Sequence, residues 1–124
     1  MNIAIIGAMK EEVKPILTQL HQKTQKNVGP FTFHEGNYKN HHLVIVVSGV
    51  GKVMAGILFA TLAATYPNIM AVINVGVAGG VKPMQVGDLV IGESYVYGDV
   101  DVTSFDHYRY GQIPNFPWLL LADK

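Results

Sequence analysis

Cysteine is absent from this chain. That excludes disulfides, a thiol nucleophile and a cysteine-held zinc, and it is compatible with a reducing compartment such as the cytoplasm. Net charge is absent too: nine Lys and Arg balance nine Asp and Glu, and Arg109 is the only arginine. A nucleic-acid binder needs a clustered basic face, and these cations are scattered. No basic stretch opens the chain; charge first arrives at Lys10, so the first residues do not read as a signal peptide. Nor is there an uninterrupted membrane-length apolar run. The longest candidate, Leu43 to Tyr66, contains Lys52 and three glycines, which are costly in lipid. Neither nucleic acid nor membrane is expected as a partner.

What is present suits an α/β protein. Apolar residues make up 49% of the 124, and thirteen are glycine. Both features fit a sheet whose strands are buried on two faces, in a chain long enough for about one domain. Met1–Gly7 predicts a central strand. Val13, Ile16, Leu17 and Leu20 recur at helical spacing and predict a helix from Glu11 to about His21, with Pro15 near its first turn. Phe31-Thr32-Phe33 alternates and leads through a polar turn at Tyr38–His42 into a strand over Leu43–Ser48. A second helix is expected over Lys52–Tyr66, stopped by Pro67-Asn68. Ile69–Val75 and Asp88–Tyr97 read as further strands, and Gly98–Pro117 as irregular.

About five strands and only two helices leave a parallel sheet short of cover. After Pro117 the run Trp118-Leu119-Leu120-Leu121 starts like a helix. The expectation is therefore a mixed, largely parallel twisted sheet flanked by helices, with residues 1–124 forming the N-terminal part of one larger domain and exposing apolar surface.

Two familiar phosphate cradles are ruled out by their spacing. Gly49-Val50-Gly51-Lys52-Val53-Met54 has the first two glycines of a dinucleotide loop but Met at the third. It also fails as a triphosphate loop: Val53 follows Gly51-Lys52 where Ser or Thr would bind magnesium, and Val46 stands at the leading glycine. Three small-residue loops do share a position, however. Gly7–Lys10, Ser48–Lys52 and Gly76–Gly80 each follow the carboxyl end of an apolar strand, the edge where open α/β sheets bind ligands. Helix-on-strand packing also needs small residues, so packing and binding remain equal readings.

Glu11 and Glu12 open the first helix. The helix dipole favours acids there by about 0.3–1 kcal/mol each, which explains one solvent-facing carboxylate. Successive helical residues differ by about 100° in direction, so the two cannot share one environment. One faces solvent; the other can point toward the pocket edge and accept a proton from water. Asp99 and Asp101 lack the companions of a metal site and read as solvated or capping acids, and none of the five histidines has recognisable ligand spacing. No metal is expected. Phe105, Tyr108, Tyr110 and Trp118 suggest packing or an interface.

Five segments in order, IIGAMKEEV, SGVGKVMA, INVGVAGG, VGDLVI and DVDVTSF…YGQIP, together resemble the bacterial 5′-methylthioadenosine/S-adenosylhomocysteine nucleosidases of the purine nucleoside phosphorylase superfamily. The resemblance covers nearly the whole chain. It implies hydrolysis of the N-glycosidic bond between adenine and a 5′-thio-substituted ribose, a homodimer, a cytoplasmic location and no cofactor. By the same resemblance Glu12 activates the attacking water, and Met9 lies under the ribose. Val50 belongs to the 5′-thio pocket, while Val77, Ala78 and Gly79 run beside the nucleoside. Val102, Phe105, Tyr108 and Pro114 are implied to reach into the neighbouring subunit's site.

The chain departs from the family pattern in three places. Val77 replaces the usual Ser, Gly98 replaces the His of YHDAD, and one extra residue lies between Phe105 and Tyr110. The family's ribose-binding Glu and its purine-protonating Asp belong to the later part of its domain, and no residue here fills either role. Two rivals stand beside hydrolysis. A phosphorylase needs cations around phosphate, against which the single Arg109 and the Val at 77 argue. The other is a non-catalytic nucleoside-binding module.

Overall fold

Alternation along the strand Asn2–Gly7 (β1) sends Ala4 and Ile6 to one face of a sheet and Ile3 and Ile5 to the other. Both faces are covered, as a central strand requires. The remaining elements follow as helix α1 (Lys10–Gln19), strands β2 (His21–Val28), β3 (Phe31–Tyr38) and β4 (His41–Val47), helix α2 (Lys52–Thr65) and strand β5 (Ala71–Val75). Two short strands, β6 (Ser94–Tyr95) and β7 (Leu120–Leu121), come later. The computed structural model describes residues 1–123, which fall into two units, Met1–Gly79 and the segment from Gly80 onward.

The first unit is a five-stranded sheet in the order β2-β3-β4-β1-β5. β1 pairs in parallel with β4 (Gly7 opposite Val47) and with β5 (Gly7 opposite Val75). β2, β3 and β4 form an antiparallel meander. The sheet is thus mixed, its parallel part built by the three apolar strands.

The helices take opposite faces. Leu58 and Leu62 of α2 pack with Ala4, Ile6, Phe31, Phe33, Val44 and Val46. Val13 of α1 and Leu20 pack with Ile5, Leu43 and Ile45. Each fully buried Leu or Val contributes about 1.5–3 kcal/mol relative to exposure. α2 begins after Gly51, whose φ of 108° no L-residue adopts without strain. Outside its buried stripe α2 exposes Val53, Ile57 and Phe59, and β5 exposes Val72 and Ile73.

Several sequence expectations need correction. α1 stops at Gln19, and His21 opens β2 instead of closing the helix. β2 itself, HQKTQKNV, has almost no buried residue. It is an edge strand held by backbone pairing with β3, so it carries no hydrophobic period to read. Pro15 lies in the second helical turn, not the first. β5 begins at Ala71, two residues later than expected; Met70 N–H is already bonded to the Asn2 carbonyl at 2.9 Å.

In the second unit, the strand expected over Asp88–Tyr97 reduces to Ser94–Tyr95, paired with Leu120–Leu121. Val86, Leu89 and Ile91 are exposed and paired to no strand. An apolar alternating run becomes a strand only where a partner supplies its ladder. The run after Pro117 is not a helix start; its last two leucines form β7, and Lys124 lies outside the described residues. Elsewhere in this unit, Tyr110 donates to the Gly98 carbonyl (2.6 Å) and Trp118 Nε1 to the Tyr110 carbonyl (3.0 Å), while the Arg109 guanidinium stacks 4.8 Å from the Trp118 ring centre.

No helix among the described residues is long and apolar enough to cross a membrane.

Candidate active site

Because β1, β4 and β5 are parallel, their carboxyl ends share one edge of the sheet. Three small-residue connections leave from it. The first, Gly7-Ala8-Met9, turns straight into α1. The second starts at Ser48, a buried residue whose N–H bonds the Gly7 carbonyl at 2.9 Å and whose hydroxyl donates to the Gly49 carbonyl at 2.7 Å. The first of those bonds ties the end of β4 to the end of β1. The third, Gly76–Gly79, continues β5.

α1 starts without a side-chain cap. Its N-cap residue is Met9, which offers no oxygen acceptor, so the first turn is closed by Glu12. The Met9 N–H donates to Glu12 Oε2 at 2.9 Å, and the Glu12 N–H donates to the Met9 carbonyl at 3.3 Å. This is the acid half of a capping box. Glu11, one residue earlier, is exposed, whereas Glu12 is half-buried. The two acids occupy different environments, and Glu12 is the one turned to the strand ends.

The position of its carboxylate is defined by two glycines. A Cβ at Gly7 would lie 3.4 Å from Oε2, and a Cβ at Gly76 would lie 3.2 Å from Oε1. The carboxylate therefore spans the ends of β1 and β5, with one oxygen held by the helix and the other directed toward β5. An acceptor placed at a helix N-terminus, over an edge with little side-chain bulk, can hold and deprotonate a water.

Met9, Val50 and Val77 lie on the three connections at this edge and are exposed to 40%, 76% and 84%. Ala78 and Gly79 are exposed beside Val77. The structure thus brings Glu12, Met9, Val50, Val77, Ala78 and Gly79 to one edge of the sheet, where the residues other than Glu12 are apolar or small. Val102, Phe105, Tyr108 and Pro114 belong to the second unit. There the Phe105 N–H bonds the Val102 carbonyl and the Tyr108 N–H bonds the Phe105 carbonyl, both at 3.0 Å, giving successive turns. Asp101 accepts from the Thr103 hydroxyl (2.7 Å) and N–H (3.0 Å), a capping role; the hydroxyl bond first and the N–H bond second draw its carboxyl below the usual range.

Among the described residues no group of three or more His, Asp or Glu is arranged to hold a metal ion. One polar cluster was not legible in the sequence. The Tyr66 hydroxyl donates to Glu35 Oε1 at 2.6 Å, and Glu35 Oε2 lies 3.6 Å from His42 Nε2. Burial first, then the bond to the Glu35 carboxylate, pushes the Tyr66 phenol above its ordinary range. The cluster joins the α2 C-cap to β3 and β4, at the opposite end of the strands from Glu12. Three distant stretches meet there, and no local pattern announces it.

Sheet order, flanking helices and this carboxylate edge define a nucleoside phosphorylase-like α/β fold, and the chain belongs to the phosphorylase superfamily, whose family model matches residues 2–119. Within that superfamily it is similar to 5′-methylthioadenosine/S-adenosylhomocysteine nucleosidases. The protein of that name from Anoxybacillus flavithermus is 42% identical over all of this chain and 53% of its own length. The Streptococcus pneumoniae nucleosidase solved with 8-aminoadenine superposes with a TM-score of 0.93 at 40% identity, over 99% of this chain and 54% of that one. A futalosine hydrolase mutant of Helicobacter pylori superposes with a TM-score of 0.91 at 31% identity, over 100% of this chain and 54% of that one. The chain thus spans about half the length of the curated relatives it matches.

Proposed function

We propose that residues 1–124 are the N-terminal part of a single nucleosidase domain. Its reaction is hydrolysis of the N-glycosidic bond of 5′-methylthioadenosine or S-adenosylhomocysteine, releasing adenine. The observation that carries the reading is the Glu12 carboxylate over the ends of β1 and β5, in a chain 42% identical to a protein of that name. Water held by Glu12 attacks the anomeric carbon of the ribose. The carbon–nitrogen bond breaks, its electron pair leaves with adenine, and the water's proton passes to Glu12. Protonation of the departing adenine, and the grip on the ribose hydroxyls, fall by resemblance to the part of the family's domain that follows. Met9 supports the sugar, Val50 the 5′-thio group, and Val77-Ala78-Gly79 the nucleoside face. Val102, Phe105, Tyr108 and Pro114 cover the site of a neighbouring copy in a cytoplasmic homodimer.

The test is adenine release from 5′-methylthioadenosine by the intact protein, at whatever length its reading frame encodes, with and without Glu12→Gln. A fall of about 10²–10⁴-fold on substitution supports the reading; an unchanged rate removes Glu12 from the chemistry. The superfamily match keeps one rival, a phosphorylase, for which release would require phosphate. The likeness to a futalosine hydrolase adds futalosine as a second substrate to test in the same assay.

A further inference from the structure

Gly76 is glycine without a conformational reason. It is not among the residues with positive φ, so its backbone suits any L-residue. What a side chain there would meet is Glu12: a Cβ would stand 3.2 Å from Oε1, 3.5 Å from the carboxyl carbon and 3.7 Å from Oε2. All three of its nearest heavy atoms belong to that one carboxylate. Retreat is restricted because Oε2 is held by the Met9 N–H at 2.9 Å. The carboxylate sits in a slot between two strand ends, and the open side of that slot is position 76.

We infer that Gly76 is a positioning residue: the missing side chain at the end of β5 sets how far the Glu12 carboxylate reaches over the sheet edge. The inference rests on the reading that Glu12 activates water. A methyl group at 76 pushes Oε1 back by a few tenths of an ångström, and a branched side chain pushes it further. A displacement of about 1 Å from productive geometry costs on the order of a hundredfold in rate. A graded loss therefore follows from side-chain size alone, without change to any charge.

The experiment uses the intact protein and measures adenine release from 5′-methylthioadenosine for Gly76→Ala and Gly76→Val, each also combined with Glu12→Gln. The expected result is a fall in kcat of about threefold for Ala and about a hundredfold for Val, with KM little changed. In the Glu12→Gln background the same substitutions change the residual rate by less than about twofold, because the group they displace no longer takes the proton. Gly56→Ala, on α2 where a Cβ meets nothing within 4 Å, serves as the control and keeps the parent rate. A parent-like kcat in Gly76→Ala and Gly76→Val overturns the inference. So does a rise confined to KM, or an equal loss in the Glu12→Gln background; either would place the side chain against substrate instead of Glu12. If Gly76→Val does not fold, the Ala variant alone decides through its loss in the two backgrounds. Parent activity in Glu12→Gln alone would sink the reading of Glu12 itself, a distinguishable outcome.

Discussion

The Met9 backbone N–H and Glu12 Oε2 are 2.9 Å apart, so one carboxylate both closes the first turn of α1 and faces the ends of β1 and β5. A serine or aspartate at the N-cap would have closed that turn unaided. With Met9 there instead, the helix start and the proposed water-binding group depend on the same side chain.

That double duty separates two substitutions. Glu12→Gln keeps an acceptor for the Met9 N–H and removes the base, so the melting temperature stays within a few degrees while adenine release falls about 10²–10⁴-fold. Glu12→Ala loses both, adding a stability loss of about 1 kcal/mol from the missing hydrogen bond. Steady-state rates and thermal melts of both variants check this. Undetectable release by the unsubstituted intact protein would instead favour a nucleoside-binding module without catalysis.

Phosphate distinguishes hydrolysis from phosphorolysis. Adenine release should be equal in phosphate-free buffer and in added phosphate, with free sugar as the product. Dependence on phosphate, or a sugar 1-phosphate product, would make the protein a phosphorylase in spite of the single arginine in residues 1–124.

Gly7 is constrained by packing where Gly76 is constrained by the carboxylate. A Cβ at Gly7 would stand 2.6 Å from Cγ1 of Val13, which is fully buried. Gly7→Ala is therefore expected to destabilise by about 1–3 kcal/mol through overpacking between β1 and α1. Gly7→Ala combined with Val13→Ala should cost less than the sum of the two single losses, because the clash is gone in the double variant. Chemical denaturation midpoints of the single and double variants measure it.

The Tyr66–Glu35 bond predicts an alkaline sensitivity. The folded phenol binds its proton more tightly than an unfolded one, whose pKa is about 10. Its stabilising contribution is whole below that value and is lost as pH rises above it, since only the unfolded state then gives up the proton. The Tyr66→Phe variant should be less stable at neutral pH and should show a shallower decline between pH 10 and 11. Thermal melts across that range compare the two; parallel curves would contradict the prediction.

Much of the fold was written locally. β1, β4 and α2 announce themselves because each buries a regular pattern: Ile3 to Ile6, Leu43 to Val46, and Leu58 with Leu62. β2 was invisible because an edge strand needs only backbone partners, and its side chains stay in water. The strand expected over Asp88–Tyr97 failed for the converse reason. Its apolar residues look like a strand, but only Ser94 and Tyr95 find a partner, seated twenty-five or more residues away at Leu120 and Leu121. That the three small-residue connections share one edge of the sheet was legible; that Gly7 and Gly76 make room for Val13 and Glu12 was not.

By itself the sequence determined the element types of the first unit apart from β2, the family motifs and the presence of two acids where α1 begins. Those depend on composition and period within a few residues. Tertiary structure alone decided which acid turns inward, which glycine it rests against, and how Tyr66, Glu35 and His42 meet. Those outcomes depend on how α1 and α2 seat on opposite faces of the sheet and on which strand lies beside β1. Residues 12 and 76 become neighbours only because β5 pairs with β1 in parallel, bringing both loops to the same edge.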